Sequence, residues 1–154
     1  MSLDHLQTII DRSLRNASPL TRELFADKRM TAGELQRFVN RVMSASIATV
    51  SPAGRPHASL TLIACSNEGD VYFAANHASV LFRNLQQSAS VALTVDDKDH
   101  GMMAQGRAEL VGRAPDLREE LLSELDSLME RGRWLPPDSE GAIYRVALSR
   151  VFAQ

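Results

Sequence analysis

The stretch Tyr72-Phe73-Ala74-Ala75-Asn76-His77-Ala78-Ser79-Val80-Leu81-Phe82-Arg83-Asn84-Leu85 decides how this chain is read. It runs from a β-rich segment through a short turn into the start of a helix. Upstream lie two more β-rich runs, Ile47-Ala48-Thr49-Val50 and Ser59-Leu60-Thr61-Leu62-Ile63, joined across Ser51-Pro52-Ala53-Gly54-Arg55-Pro56. Downstream comes Val91-Ala92-Leu93-Thr94-Val95. Ile47 to Val95 therefore predicts a sheet with one helical turn set into it. Ser79 is placed to cap that turn, and free N–H groups at such an end favour a phosphate or carboxylate.

Working outward, the segment before the sheet predicts three helices. Leu3, Leu6, Ile9, Ile10 and Leu14 fall at helical spacing behind Ser2, a candidate cap. Ser18-Pro19 opens a second helix carrying Leu20, Leu24 and Phe25. Thr31 and Glu34 form a capping box ahead of Leu35, Phe38, Val39, Val42 and Met43, and this third helix is expected to end near Ser44. After Val95, the polar run Asp96 to Gly101 predicts a loop. Met102 to Val111 predicts a longer strand in which Gly106 marks a bulge or a close backbone approach. Pro115 is expected to open a helix with a stripe of Leu117, Leu121, Leu122, Leu125, Leu128 and Met129. Gly132 to Gly141, with Trp134 and Pro136-Pro137, reads as a connection. The last strand, Ala142 to Phe152, is expected to set Tyr144, Val146, Leu148 and Phe152 on one face.

The chain has 154 residues, 44% hydrophobic and 23% charged, with a formal net charge of −2. That is the profile of one globular domain, with no electrostatic footprint for nucleic acid. The single Cys65 stands in an apolar run and reads as a buried, inert thiol without an intramolecular disulfide partner. No uninterrupted apolar stretch of spanning length occurs, and Asp4 and Asp11 interrupt the start, so no membrane and a cytoplasmic location are expected. No metal site is expected, since no His or Cys cluster has ligand spacing. Asp96, Asp97 and Asp99 lack the glycine and distal glutamate of a calcium loop, and no serine stands in a nucleophile elbow.

Six strands with short links predict a mainly β fold with added helices, a small closed or split antiparallel barrel. Residues 1–44 are expected as a helical segment packed on the barrel, and 45–154 as the barrel itself, together one compact domain. Barrel strands alternate inward and outward, so Ser59, Thr61 and Ile63 share one face and Leu60, Leu62 and Ala64 the other. The small polar face is the natural ligand wall.

The order of pieces carries a resemblance over about residues 35 to 112. Ile47-Ala48-Thr49-Val50 is followed by Gly54-Arg55-Pro56-His57-Ala58-Ser59, Val71-Tyr72-Phe73-Ala74-Ala75-Asn76, Ser79 with Arg83-Asn84-Leu85, Val91-Ala92-Leu93, and Gly106-Arg107-Ala108-Glu109-Leu110. In this order the pieces resemble the FMN-binding split-barrel superfamily typified by pyridoxamine 5'-phosphate oxidase. The resemblance implies a six-stranded antiparallel split barrel, a homodimer with FMN in the clefts between subunits, and oxidoreductase chemistry on a small substrate. It places Ser59, Leu60, Thr61 and Leu62 along the flavin ring, Ala74, Ala75 and Asn76 near it, and Ser79 at the phosphate. No side chain is nominated as a catalytic acid or base; hydrogen bonds from Thr61 and Asn76 would orient the ring.

The chain also departs from that pattern. Ala64, Val80 and Leu81 stand where such proteins usually carry basic phosphate anchors, and each lost charge-assisted hydrogen bond removes about 1.5–3 kcal/mol. Arg83, one turn beyond Ser79, is the expected substitute, with Arg55 contributing from the neighbouring hairpin. The tail Arg145 to Gln154 lacks the basic and aromatic substrate motif of true pyridoxamine phosphate oxidases, so that specific activity is not expected. A deazaflavin-dependent branch with a serine and an Arg-Asn-Leu triplet in the same helix is resembled about equally well. A haem-binding branch would call on His57, His77 or His100. The alternative from another class is a non-catalytic barrel that keeps a cofactor or haem.

Overall fold

The computed structural model describes residues 2–114, 116, 119–128 and 140–154. Its elements, in order, are α1 (Asp4–Arg15), α2 (Pro19–Phe25), α3 (Ala32–Val42), β1 (Ser44–Val50), β2 (Pro56–Cys65), β3 (Val71–Asn76), α4 (Val80–Gln87), β4 (Ser90–Asp96), β5 (Gly101–Arg113), α5 (Glu119–Leu128) and β6 (Gly141–Ala153). The six strands close into an antiparallel barrel in the order β1-β2-β3-β6-β5-β4. This is the architecture expected from the strand count and linker lengths.

Local chemistry sets the boundaries. Ser18 and Thr31 cap α2 and α3, accepting the N–H groups of Thr21 and Glu34 at 3.3 and 3.2 Å. The cap position of α1 is Leu3. Ser2 lies one residue farther out, and its hydroxyl accepts the Asp4 N–H at 3.1 Å. Met43 ends α3 in the left-handed region at φ 65°, which turns the chain into β1 without a spacer. In the β4–β5 turn, the Asp97 carboxylate accepts the N–H groups of Asp99 and His100 at 2.8 Å and meets Arg41 of α3 at 2.9 Å. Those hydrogen bonds hold its carboxyl down at about 2.

The barrel interior and the helices share one core. Leu6, Ile9 and Ile10 of α1 and Leu35, Phe38 and Val39 of α3 pack in the same buried cluster as Ile47, Ile63, Phe73, Leu93 and Val146. A second cluster, Ala64, Ala74 and Ile143 with Leu121 and Leu125, lies between the sheet and α5. Pro115, Leu117, Met129 and the segment 129–139, with Trp134, lie outside the described residues.

The alternation expected for the last strand breaks at Ser149. Gln105 pairs with Arg150 but Gly106 with Leu148, so Ser149 is an extra residue on β6. Side chains have period two, and one inserted residue exchanges the faces. Tyr144, Val146 and Leu148 point inward, whereas beyond the bulge Val151 and Ala153 are the buried ones. Phe152 is therefore on the outside, its ring tilted against that of Phe25 of α2 at 5.5 Å. The Ser13 hydroxyl of α1 donates to the Ile9 carbonyl oxygen at 2.7 Å and accepts the Val151 N–H at 2.9 Å, fastening α1 over the bulge. Gly106 sits at the same register shift, and a Cβ there would run into the Ala147 carbonyl oxygen. Both readings of Gly106, bulge and close approach, describe one feature.

The closed barrel splays at one place. β2 pairs with β3 only from Ile63 to Cys65, opposite Phe73 to Val71, while its first half pairs with β1 alone. The Thr61 hydroxyl donates to the Ala74 carbonyl oxygen where the two strands part. α4 crosses that mouth.

Candidate functional site

α4 leaves β3 through a short polar turn. The Asn76 side-chain oxygen accepts the Ala78 N–H at 2.8 Å, and the Ser79 hydroxyl donates to the Asn76 carbonyl oxygen at 2.7 Å. The same hydroxyl accepts the Phe82 N–H at 3.0 Å, so Ser79 is the cap the sequence called for. Its one proton is committed to Asn76. The groups a helix leaves without an internal partner at this end are the N–H groups of Val80 and Leu81.

Leu81 and Phe82 turn into the barrel mouth and are buried, while Val80 and Arg83 remain outside. Arg83 follows Ser79 by four residues and shares its face of the helix. Together with Ser51 and Pro52 of the β1–β2 hairpin and Val80, Asn84, Gln86 and Gln87 of α4, it lines an open cleft of about 520 Å³. Arg83 takes part in none of the ion pairs among the described residues. Such a cleft, with one free guanidinium and several amides, suits an anionic group with hydrogen-bonding oxygens.

Beneath α4 the structure is polar where a barrel mouth would ordinarily be apolar. Asn84 donates to the Thr49 hydroxyl at 3.0 Å with both residues almost fully buried. The His77 ring lies 5.0 Å from Phe82, and the Arg113 guanidinium lies 5.1 Å from the centre of that ring on α4. Tyr144 is 3% exposed, stacks on Phe73 at 5.3 Å, and turns its hydroxyl toward Gln86 and Arg113 without closing a hydrogen bond. Burial pushes that hydroxyl above the usual tyrosine range, opposed by Gln86 and Arg113. A buried hydroxyl without a partner costs about 1–3 kcal/mol. Tyr144→Phe is therefore expected to stabilise the protein by about 1 kcal/mol, a rise of roughly 3 °C in the thermal midpoint. A lowered midpoint would show that the hydroxyl has a partner in solution.

The residues expected along a flavin divide into groups. Asn76 and Ser79 meet in the turn at the start of α4 and Arg83 follows one helical turn on, but of the three only Arg83 lines the cleft. Ser59 and Thr61 are half-buried on the face that meets Ile47, whereas Leu60 and Leu62 lie on the opposite face, with Leu60 81% exposed. The four cannot present their side chains to one ring from a single subunit, because alternate strand residues face opposite ways. Thr61 also gives its only hydroxyl proton to Ala74, so it is an acceptor toward any ligand. Ala75 is in the barrel core, and Ala74 is sealed under α5. Arg55 stands exposed in the hairpin, outside the lining of the cleft. Of the three aliphatic residues at expected anchor positions, only Val80 borders the cleft; Leu81 fills the barrel mouth and Ala64 lies under α5.

Sequence reading passed over Thr49 and Asn84. The available signal was Thr49 itself, a polar residue at the inward position after Ala45 and Ile47. His57, which the haem-binding resemblance would call on, shares through its Nε2 a hydrogen bond of 2.9 Å with the hydroxyl of Ser59, its same-face neighbour on β2. The lone thiol was read as inert, and Cys65 is buried, its pKa pushed up to about 12 chiefly by desolvation.

Comparison with known proteins gives a match to the pyridoxamine 5'-phosphate oxidase family over residues 31–153, which takes in α3 and the whole barrel. A protein of unknown function from Agrobacterium tumefaciens, Atu2129, is 23% identical with a TM-score of 0.57, over 78% of this chain and 55% of that one. The present chain thus spans about half the length of that relative. An FAD binding protein from Mycobacterium smegmatis is 18% identical over 82% of this chain and 96% of its own, with a TM-score of 0.60. An F420 reductase is 21% identical over 75% and 94%, with a TM-score of 0.58. No curated protein sequence matches the chain. At these identities the structural likeness concerns the fold, and the family rests on the sequence match. Barrel order, the helix set in after β3 and that match all agree: the chain belongs to the pyridoxamine 5'-phosphate oxidase family, with α1 and α2 lying ahead of the matched region.

Proposed function

We propose that this protein is a homodimeric flavin-type oxidoreductase, holding FMN or a deazaflavin coenzyme and moving hydride to or from a small substrate. It is not a true pyridoxamine phosphate oxidase on this reading, and its location is cytoplasmic. The observation that carries the reading is the cleft between Ser51-Pro52 and α4, where Arg83 is free to meet an anionic tail. The fit is good at that end: a guanidinium, the amides of Gln86 and Gln87, and the free N–H groups of the first helical turn can surround phosphate oxygens. When bound, the ring supplies the redox chemistry. The chain's own part is to hold the tail with Arg83, to offer the exposed Asn76 amide at the turn, and to exclude water with Leu81 and Phe82.

The outer face of the sheet supports the dimeric part of the proposal. Leu60, Ser46, Thr94, Met103 and Phe152 stand in register across β2, β1, β4, β5 and β6. Leu60 and Met103 are large apolar side chains left exposed there, on either side of the small polar Ser46 and Thr94, and exposed apolar side chains sharing one sheet face suit an association surface. No helix of the described residues is long and apolar enough to cross a membrane.

A barrel that only stores haem is the competing reading. Of the three histidines this reading would call on, His57 is bonded to Ser59 and His100 sits 3.5 Å from Asp97, which leaves His77, packed on Phe82 with its Nε2 buried and unpartnered, as the one candidate ligand among them. The test is the absorption spectrum of the purified protein followed by titration with FMN and with a deazaflavin coenzyme. Flavin or deazaflavin bands, or saturable binding of either at tens of micromolar or below, are expected. A Soret band would favour the haem reading, and failure of both titrations would overturn the oxidoreductase.

A further inference from the structure

Among the described residues, Asn84 and Thr49 form the one hydrogen bond between two buried side chains, Asn84 3% exposed and Thr49 2%. Of the other buried hydroxyls, those of Ser13 and Ser66 bond to backbone, Ser13 to Ile9 and Val151 and Ser66 to the Asp70 N–H in the β2–β3 turn, while that of Tyr144 closes no hydrogen bond. Thr49 stands at an inward position of β1 where valine would suit both strand propensity and the core. A hydroxyl kept there must be desolvated, and it accepts a hydrogen bond from an equally buried amide. The location is informative. Thr49 is two residues before Ser51, on one wall of the cleft, and Asn84 follows Arg83 on the other.

We infer that the Thr49–Asn84 hydrogen bond is a positioning pair that sets the width of the cleft and holds Arg83 at its rim, an inference that rests on the cofactor reading above. β1 and its hairpin form one wall and α4 the other, and this bond ties the walls together beneath the floor. Leu81 and Phe82 fix how deeply α4 sits. Apolar contacts leave rotation about the helix axis poorly defined, whereas a directional bond from Asn84 fixes it, and with it the side on which Arg83 emerges.

The test is FMN or deazaflavin titration of Thr49→Val, Thr49→Ser, Arg83→Gln and the double variant Thr49→Val with Arg83→Gln, each checked for folding by circular dichroism. Thr49→Val is expected to weaken binding by roughly tenfold, and Thr49→Ser to restore it to within about twofold. The double variant should bind no more weakly than Arg83→Gln alone, because the pair acts through that arginine. Should Thr49→Val fail to fold, Asn84→Ala removes the same bond from the helix side and is expected to give the same loss. Wild-type binding accompanied by Thr49→Val binding within twofold of it, or losses that simply multiply in the double variant, would overturn the positioning role while leaving the cofactor reading standing. Absence of binding by the wild-type protein would overturn both.

Discussion

Replacing Gly106 with alanine will lower the unfolding midpoint by about 9 °C, following from a destabilisation of about 3 kcal/mol at roughly 3 °C per kcal/mol for a domain this size. The added methyl would meet the carbonyl oxygen of Ala147 and stand 3.0 Å from Cγ1 of Val146. The first of these is backbone, so no rotamer change can relieve the collision. β5 and β6 would have to separate at the register shift, in the longest ladder of the barrel and directly beneath Ser13 of α1. Gly101→Ala is the matched control, since the nearest atom to a Cβ there is the Val95 carbonyl oxygen at 4.0 Å, an ordinary contact. It should change stability by no more than about 0.5 kcal/mol. Thermal or urea unfolding of the two variants reads the difference, and equal midpoints would show that the bulge can open without cost.

Arg83→Gln is expected to weaken FMN or deazaflavin binding about 10- to 100-fold, while leaving the thermal midpoint of the unliganded protein within a degree or two. The affinity estimate is the usual contribution of a charge-assisted hydrogen bond, about 1.5–3 kcal/mol, converted at about 1.4 kcal/mol per decade. The stability estimate follows from exposure: Arg83 is outside the core and joins no ion pair among the described residues. Salt provides a second readout. An open cleft is reached by counter-ions, so wild-type affinity should fall with ionic strength, and the glutamine variant should show a flatter dependence. Affinity unchanged by the substitution would remove Arg83 from the site and shift attention to the exposed Arg55 across the hairpin.

The parts of the fold that could be read from sequence were those governed by neighbours along the chain. Ser18-Pro19, Thr31 with Glu34 and Ser79 each announced a helix start, and each hydroxyl accepts the N–H three residues on. The strands around Ile47, Leu62, Phe73, Leu93 and Met102 were visible through alternation, and their short links confined them to antiparallel pairing. Phe152 shows where this logic stops. Its face depends on the extra residue at Ser149, and a bulge is a relation between β6 and β5 that no periodicity within β6 reveals. The site divides in the same way. Ser79 and Arg83 were legible because four residues make one helical turn, but the pairing of Thr49 with Asn84, 35 positions apart, was not.

By itself, then, the sequence determined which segments would be helix or strand, where the helices would begin, and that a serine-capped turn would follow the third strand, because these depend on interactions among residues a few positions apart. Only the tertiary structure decided that α4 lies across the gap between β2 and β3, that Ala64 is sealed under α5 instead of bordering the cleft, and that a buried threonine anchors the helix bearing Arg83. Those outcomes depend on which surfaces exclude water together and which buried polar groups find one another, and both are settled only when the barrel closes.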